Sequence, residues 1–397
     1  ADGNEILDFQ NNYTSLIHGH AHPPTVAAVQ EQIARGSAYS APMRQQVRLA
    51  EIICSRVESV DLIRFTNSGT EATMHAVRGA RAFTGRTRIV KIEGGYHGSS
   101  DTFEASVEPD MSKVGSLENP TAVADSKGVP QTVIDQVIIV PFNNIPVTKR
   151  LIEENHRDIA AFIIEPVLGS AGQLEVSREY LEFIRDITRT YGIVLIFDEI
   201  VTFRLSTGGA QARYGIQPDM TTFGKIIGGG IPVGAFGGKQ EIMGMYDPAA
   251  GLLHHSGTFN GNAVTMAAGI ATLSDYGTAE ADHVNRLGDR FRAGCEAACR
   301  ELGLRIRING VGSLSNLIFS NDDITEYRGI ANSFEEYNVL LGLALLNRGV
   351  FMAPRGMFCT STPMGEPQVD AAVAAVRDSL QEILPAIREG APGLLAK

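Results

Sequence analysis

An α/β fold, a mainly parallel sheet with helices on both faces, is what the sequence predicts, and three observations predict it. Short apolar, β-branched runs at residues 89–92, 137–140, 160–164 and 193–197 have the length and continuity of strands buried on both faces of such a sheet. Helical periodicity fills the intervals between them, as in 177–191, where Leu181, Ile184, Ile187 and Tyr191 share one side behind a Ser177 cap. Polar residues then stand where strands end, Glu165 after one and Asp198 with Glu199 after another, at the edge where open α/β sheets bind ligands.

Composition sets outer bounds. With 397 residues, 44% hydrophobic and 20% charged, the chain suits about two or three domains around a large core. A net charge of −11 and a pI near 5.4, without a basic cluster, argue against a nucleic-acid partner. Cys54, Cys295, Cys299 and Cys359 form no CxxC pair, so buried free thiols in a reducing compartment, the cytoplasm, are expected. No apolar run reaches the length of a membrane span, and the greasiest patch, 339–346, reads as a core helix. The chain opens at Ala1 with neither Met nor a signal pattern, which points to a true start upstream.

In order, residues 1–35 read as a short strand near Glu5 to Phe9, a polar loop holding Tyr13, His20 and His22, and a helix over 24–34 with Val26, Val29 and Ile33 on one side. Two loop histidines do not make a metal site. A helix over 45–57 and a strand over 63–65 lead into NSGTEA at 67–72. There Ser68 and Glu71 form a capping box for a helix with Ala72, Ala76, Ala80 and Phe83 on its inner face. The same helix start turns the N–H groups of Gly69 and Thr70 outward, which with the helix dipole makes a seat for a phosphate. In GGYHGSS, 94–100, glycines around Tyr96 and His97 let a ring lie flat against a planar ligand, although a turn with a buried aromatic has the same sequence.

Residues 108–135, with Pro109, Pro120 and Pro130 and no periodicity, are expected to be a mobile functional loop or cover. After HHSGTFNGN at 254–262 comes a helix over 263–276, for which Thr258 is either the cap or a group with another task. A smaller α/β unit follows, with strands near 306, at 314–319 and at 349–353, and a closing helix over 369–384 stopped by Pro385. Arg355, on the turn between Pro354 and Gly356, suits bidentate capture of a carboxylate, a surface salt bridge being the plainer alternative. The domain reading is 1–40 as the N-terminal part of a small domain, 41–280 as a large ligand-binding domain and 281–397 as the rest of the small domain.

The stretch 193–234 organises the chain. Asp198 closes one strand and Lys225 follows another, trailed by Gly228, Gly229, Gly230, Pro232 and Gly234, a backbone built for close approach by something flat. An ion pair would need no more than the acid and the lysine. A lysine that forms a Schiff base, with an acid for a ring nitrogen, is also what pyridoxal 5'-phosphate (PLP) requires.

DEI at 198–200 and TTFGKIIGGGIPVGAFGG at 221–238 resemble the core motif of class III, fold type I, PLP-dependent aminotransferases, in the branch of β-phenylalanine aminotransferases and glutamate-1-semialdehyde aminomutases. The resemblance implies a large domain on a seven-stranded sheet. It further implies Lys225 as the residue that holds the cofactor covalently, Asp198 on the pyridine nitrogen, Ile200 and Tyr96 on opposite ring faces with His97 beside them, and Ser68, Gly69 and Thr70 at the phosphate. By the same resemblance Thr258 reaches the neighbouring subunit's phosphate in a homodimer, Tyr13 lines the substrate site, and Arg355 takes the substrate carboxylate. The activity so implied is transfer of an amino group from an aromatic or apolar β-amino acid to 2-oxoglutarate or pyruvate. The alternatives are a glutamate-1-semialdehyde 2,1-aminomutase, supported by GHAHP at 19–23 and GGAQARYG at 208–215, an amine or D-α-amino-acid transaminase, and a non-catalytic PLP-fold binding protein.

Overall fold

The β-branched runs become the spine of a seven-stranded sheet in a computed structural model that describes residues 3–396. Its strands are β1 (Leu62–Thr66), β2 (Arg88–Ile92), β3 (Val137–Val140), β4 (Ile159–Ile164), β5 (Val194–Asp198), β6 (Met220–Gly224) and β7 (Gly234–Gly238). They lie in the order β1-β7-β6-β5-β4-β2-β3, parallel except for β7, which is antiparallel to both neighbours. The longer helices before residue 275 are α1 (Pro23–Arg35), α2 (Arg44–Arg56), α3 (Gly69–Thr84), α4 (Ile145–Asn155), α5 (Arg178–Tyr191) and α6 (Ala263–Ser274). Ala72, Ala76 and Ala80 of α3 pack on Ile89, Ile139, Ile163 and Ile196, one side of the pleat, as period-two alternation requires.

Strand β7 is not legible in the sequence, because glycine has little strand propensity. Packing explains its composition. A Cβ at Gly234 would sit 2.0 Å from the Ser68 carbonyl oxygen, and one at Gly237 would sit 2.6 Å from that of Leu62. Side chains are excluded, so the backbone lies against the start of α3.

The chain divides into two compact units. One comprises residues 21–166 and 176–278, the other 1–20, 167–175 and 279–397. The first boundary therefore falls after His20 rather than near residue 40, because α1 packs on α6, where the Thr25 and Thr272 hydroxyls meet at 3.0 Å. That packing decides which face of α1 is covered: Thr25 and Gln32 are buried, whereas Val26 and Ile33, on the apolar side, are exposed.

The smaller unit holds a three-stranded antiparallel sheet, Arg307–Val311, Leu314–Ile318 and Met357–Cys359, and a parallel pair, Leu7–Asp8 with Val350–Phe351. Its closing helix, Glu366–Gly390, runs through Pro385 instead of stopping there, since Ile383 and Ile387 on either side are both buried and outweigh the lost hydrogen bond. The helix Glu336–Leu346 buries Leu341 and Leu345 but leaves Val339 and Leu343 exposed, so it is half a core helix. All four cysteines are free. Among the described residues no helix is long and apolar enough to cross a membrane.

Candidate active site

Asp198 ends β5 and is 2% exposed. Its Oδ1 accepts the Ile200 N–H at 3.1 Å and the Thr222 hydroxyl at 3.0 Å, and its Oδ2 lies 2.8 Å from His97 Nδ1. A carboxylate offers about four acceptor positions, so one remains, on Oδ2. Burial pushes the His97 imidazole below its ordinary pKa, against the pull of Asp198. The ring is therefore neutral at pH 7 and donates Nδ1–H, leaving the negative charge on Asp198. Its Nε2 is buried and has no hydrogen-bond partner among the described residues.

The adjoining Glu199 does something else. Strand alternation turns it the other way, where its carboxylate accepts the N–H groups of Ala210 at 2.9 Å and Gln211 at 2.8 Å and the Thr202 hydroxyl. Burial raises its pKa, and its work is to fasten the short helix Gly209–Tyr214.

Lys225 follows β6 in the left-handed region, at φ 49°. For a residue with a Cβ that conformation costs about 1–2 kcal/mol, strain of the kind that collects at functional positions. Ile200 sits between two glycines: a Cβ on Gly69 would come within 2.7 Å of its side chain and one on Gly224 within 3.4 Å. The start of α3, the turn after β5 and the strand before Lys225 are thereby held together.

At that helix start the Ser68 hydroxyl accepts the Glu71 N–H at 3.2 Å and Glu71 accepts the Asn67 N–H at 2.7 Å. The capping residues satisfy each other, which leaves the N–H groups of Gly69 and Thr70 without an intrahelical acceptor. The Thr70 hydroxyl accepts the Ser99 N–H at 3.2 Å, and Thr73 donates to the His97 carbonyl at 2.6 Å, so the 96–99 loop is laced to α3. Tyr96 has an exposed ring, and its N–H is held by Glu165 at 2.9 Å.

Ser68, Gly69, Thr70, Tyr96, His97, Asp198, Ile200 and Lys225 all belong to the larger unit. Thr258 is there too, exposed, in a loop joined to the helix start by an Asn67 to Asn260 hydrogen bond of 2.7 Å. It does not cap α6, because Asn262 does, accepting the Thr265 N–H at 3.0 Å. Tyr13 and Arg355 belong to the smaller unit. Tyr13 is exposed on a turn, Asn11–Thr14, in which all four residues have positive φ. Arg355 is exposed beside Gly356, its guanidinium 3.4 Å from the Ser170 carbonyl. Sequence reasoning missed Thr222, whose only signal was its place one strand away from Asp198.

Among the described residues no cluster of His, Cys, Asp or Glu could hold a metal ion. A phosphorylated pyridine fits what is present: an anion seat at the start of α3, an acid with one acceptor position left for a ring N–H, and a lysine that follows a neighbouring strand.

The comparisons with known proteins agree with that fit. The family model Aminotransferase class-III matches residues 1–364. A glutamate-1-semialdehyde 2,1-aminomutase of Methanothermobacter thermautotrophicus is 43% identical over 359 residues, 90% of this chain and 83% of that protein. Among solved structures, an omega-transaminase from Sphaerobacter thermophilus is similar at 45% identity and TM-score 0.93, covering 96% of this chain and 88% of that one. A transaminase with PLP bound follows at 35% and 0.90, covering 98% and 89%. The β-phenylalanine aminotransferase of Variovorax paradoxus is similar at 33% and 0.87, covering 100% and 86%. The chain belongs to the class III aminotransferases, enzymes that depend on PLP and exchange amino groups between small-molecule donors and keto acids, on the α/β fold type I architecture.

Proposed function

We propose that the enzyme is a transaminase that takes the amino group of an aromatic or apolar β-amino acid and passes it to 2-oxoglutarate or pyruvate. The observation that carries this reading is Arg355, exposed on a glycine-closed turn and able to bind a donor carboxylate bidentately. The β-phenylalanine and omega-transaminase structures named above support it. A second reading, glutamate-1-semialdehyde aminomutase, is favoured by the curated relatives of that name, one at 43% and three at 39% identity, and on names alone those relatives speak for it more strongly. Purified enzyme should convert β-phenylalanine with 2-oxoglutarate or pyruvate and leave glutamate semialdehyde unchanged when no keto acid is present. Isomerisation without an acceptor would establish the second reading, and a panel of amines and D-α-amino acids tests the remaining donor classes. Arg355→Ala should raise KM for a β-amino acid about 30-fold or more while changing kcat little, the signature of lost ground-state binding worth roughly 2 kcal/mol.

In this reading the N–H groups of Gly69 and Thr70 hold the cofactor phosphate, Tyr96 and Ile200 lie against its ring, and Asp198 accepts the ring N–H at its remaining position. Bound there, PLP supplies an electron sink for the pair released when the donor's C–H bond breaks. Lys225 Nζ takes that proton as base and returns it as acid. His97 and Thr222 fix the Asp198 carboxylate. Thr222→Val, similar in shape but without the hydroxyl, should lower kcat about tenfold with the fold intact, because a hydrogen bond to a charged group contributes about 1.5–3 kcal/mol; steady-state kinetics beside thermal unfolding will check this.

We also propose a homodimer in which Thr258 serves the neighbouring site. Thr258 is exposed, and Val26, Ile33, Val47, Phe83 and Phe259 leave apolar surface on the larger unit. Free cysteines fit the cytoplasm.

A further inference from the structure

A fully buried lysine on β2 has no part in the chemistry above. Lys91 is 0% exposed on the strand next to one edge of the sheet, paired with Ile139 on one side and Ile163 on the other. It shares a pleat face with Ile89, which packs in the apolar layer under α3, so an ammonium here is costly and a leucine would be the ordinary choice. Its Nζ donates to the Ala105 carbonyl at 2.5 Å and is 3.4 Å from that of Ser106.

The Ser106 carbonyl also accepts the Gly94 N–H at 2.9 Å, the first residue of the turn that carries Tyr96. The last residue of that turn is held by Glu165 through the Tyr96 N–H at 2.9 Å. Just past the ends of β2 and β4 stand Glu93 and Glu165, both buried and both within electrostatic reach of Lys91. Two carboxylates on neighbouring strands repel, and Lys91 is the cation beneath them. The other titratable groups facing it are Asp125 and Glu104 of the 100–128 segment and the imidazole of His97, whose pKa Lys91 helps to lower. Asp125 accepts the N–H groups of Val107 at 2.8 Å and Glu108 at 2.9 Å, so the segment whose carbonyls Lys91 binds is itself tied down. Residues 108–135, expected to be a mobile functional loop or cover, are thus held at their first residue by Asp125.

We infer that Lys91 is a positioning residue for cofactor binding: its charge holds the Gly94–Gly95–Tyr96 turn in place, by gripping the Ser106 carbonyl and by balancing Glu93 and Glu165, and so sets the Tyr96 ring. This rests on the reading that Tyr96 lies against the cofactor. Burial lowers the Lys91 pKa from its ordinary value to about 8, with Asp125, Glu165, Glu93 and Glu104 opposing the fall. The charge is therefore present below pH 8 and lost as pH rises through it, while the neutral amine can still donate to the Ala105 carbonyl.

The test is titration of the apoprotein with PLP, followed by absorbance, across pH 7 to pH 9.5. At pH 7 Lys91→Met should bind about tenfold more weakly than wild type. The gap should narrow above about pH 8, where the wild-type lysine loses its charge and keeps only the hydrogen bond of a neutral amine. Effects of pH on PLP itself are common to both proteins and cancel in the ratio. No gap, or a gap that stays constant with pH, overturns the inference. If Lys91→Met does not fold, Lys91→Arg serves, since a guanidinium keeps its charge throughout. Its affinity should fall less than that of wild type above pH 8, and an unchanged pH dependence again overturns the inference. Tyr96→Ala separates the two layers of argument. If it leaves affinity unchanged, the stacking reading fails and takes this inference with it. If it weakens binding while Lys91→Met does not, only the role of Lys91 fails.

Discussion

Lys225→Ala should lower kcat by at least about ten-thousandfold while the protein still folds and still binds PLP. Proton transfer by a placed amine accounts for up to about 10⁴ of that, and loss of the covalent hold adds to it. Folding should survive because Lys225 is only half-buried and its backbone is strained. Alanine at φ 49° keeps the strain but adds none. The companion measurement is borohydride trapping of the wild-type enzyme followed by peptide mapping, which should place the cofactor's mass on Lys225. A tag on Lys91 or any other lysine would falsify the assignment, as would a Lys225→Ala enzyme with more than about a hundredth of wild-type kcat.

Asp198→Asn should lower kcat about a thousandfold. The carboxylate lies in a dry setting, where losing one partner of a buried charged pair costs about 3–5 kcal/mol. The amide can keep the existing contacts, its oxygen accepting from Ile200 N–H and Thr222 and its NH₂ donating to His97, whose proton then moves to Nε2. Geometry is retained and charge is lost. Steady-state kinetics with a spectrum of the bound cofactor will read the effect, and unchanged thermal unfolding of the apoprotein will show that the fold is intact. A loss of less than about tenfold would mean that Asp198 does not carry the ring-nitrogen role.

What could be read in the sequence was the part that depends on residue type. An amine that bonds a carbonyl and an acid at a strand end can each be only one or two kinds of side chain, so Asp198 and Lys225 stand out without a structure. The capping box at Ser68 and Glu71 was legible for the same reason, because it is local. What depends on register or on a neighbour was not. The Thr222 hydroxyl faces Asp198 only because β5 and β6 pair with Asp198 opposite Thr222. The buried face of α1 was not legible either, because the periodicity of Val26, Val29 and Ile33 says that a helix has two sides, not which one the rest of this chain covers. Strand β7 was missed because its glycines answer to the carbonyls they press against, and those are far away in the chain.

For anyone reshaping what this enzyme accepts, those glycines mark forbidden ground. Saturation mutagenesis at 234 or 237 should yield inactive clones whatever the selection, since the smallest added methyl would pry the sheet away from the cradle beside it. A productive library leaves that ribbon untouched and varies the exposed turn residues, Tyr13 and Arg355, where side chains have room to change.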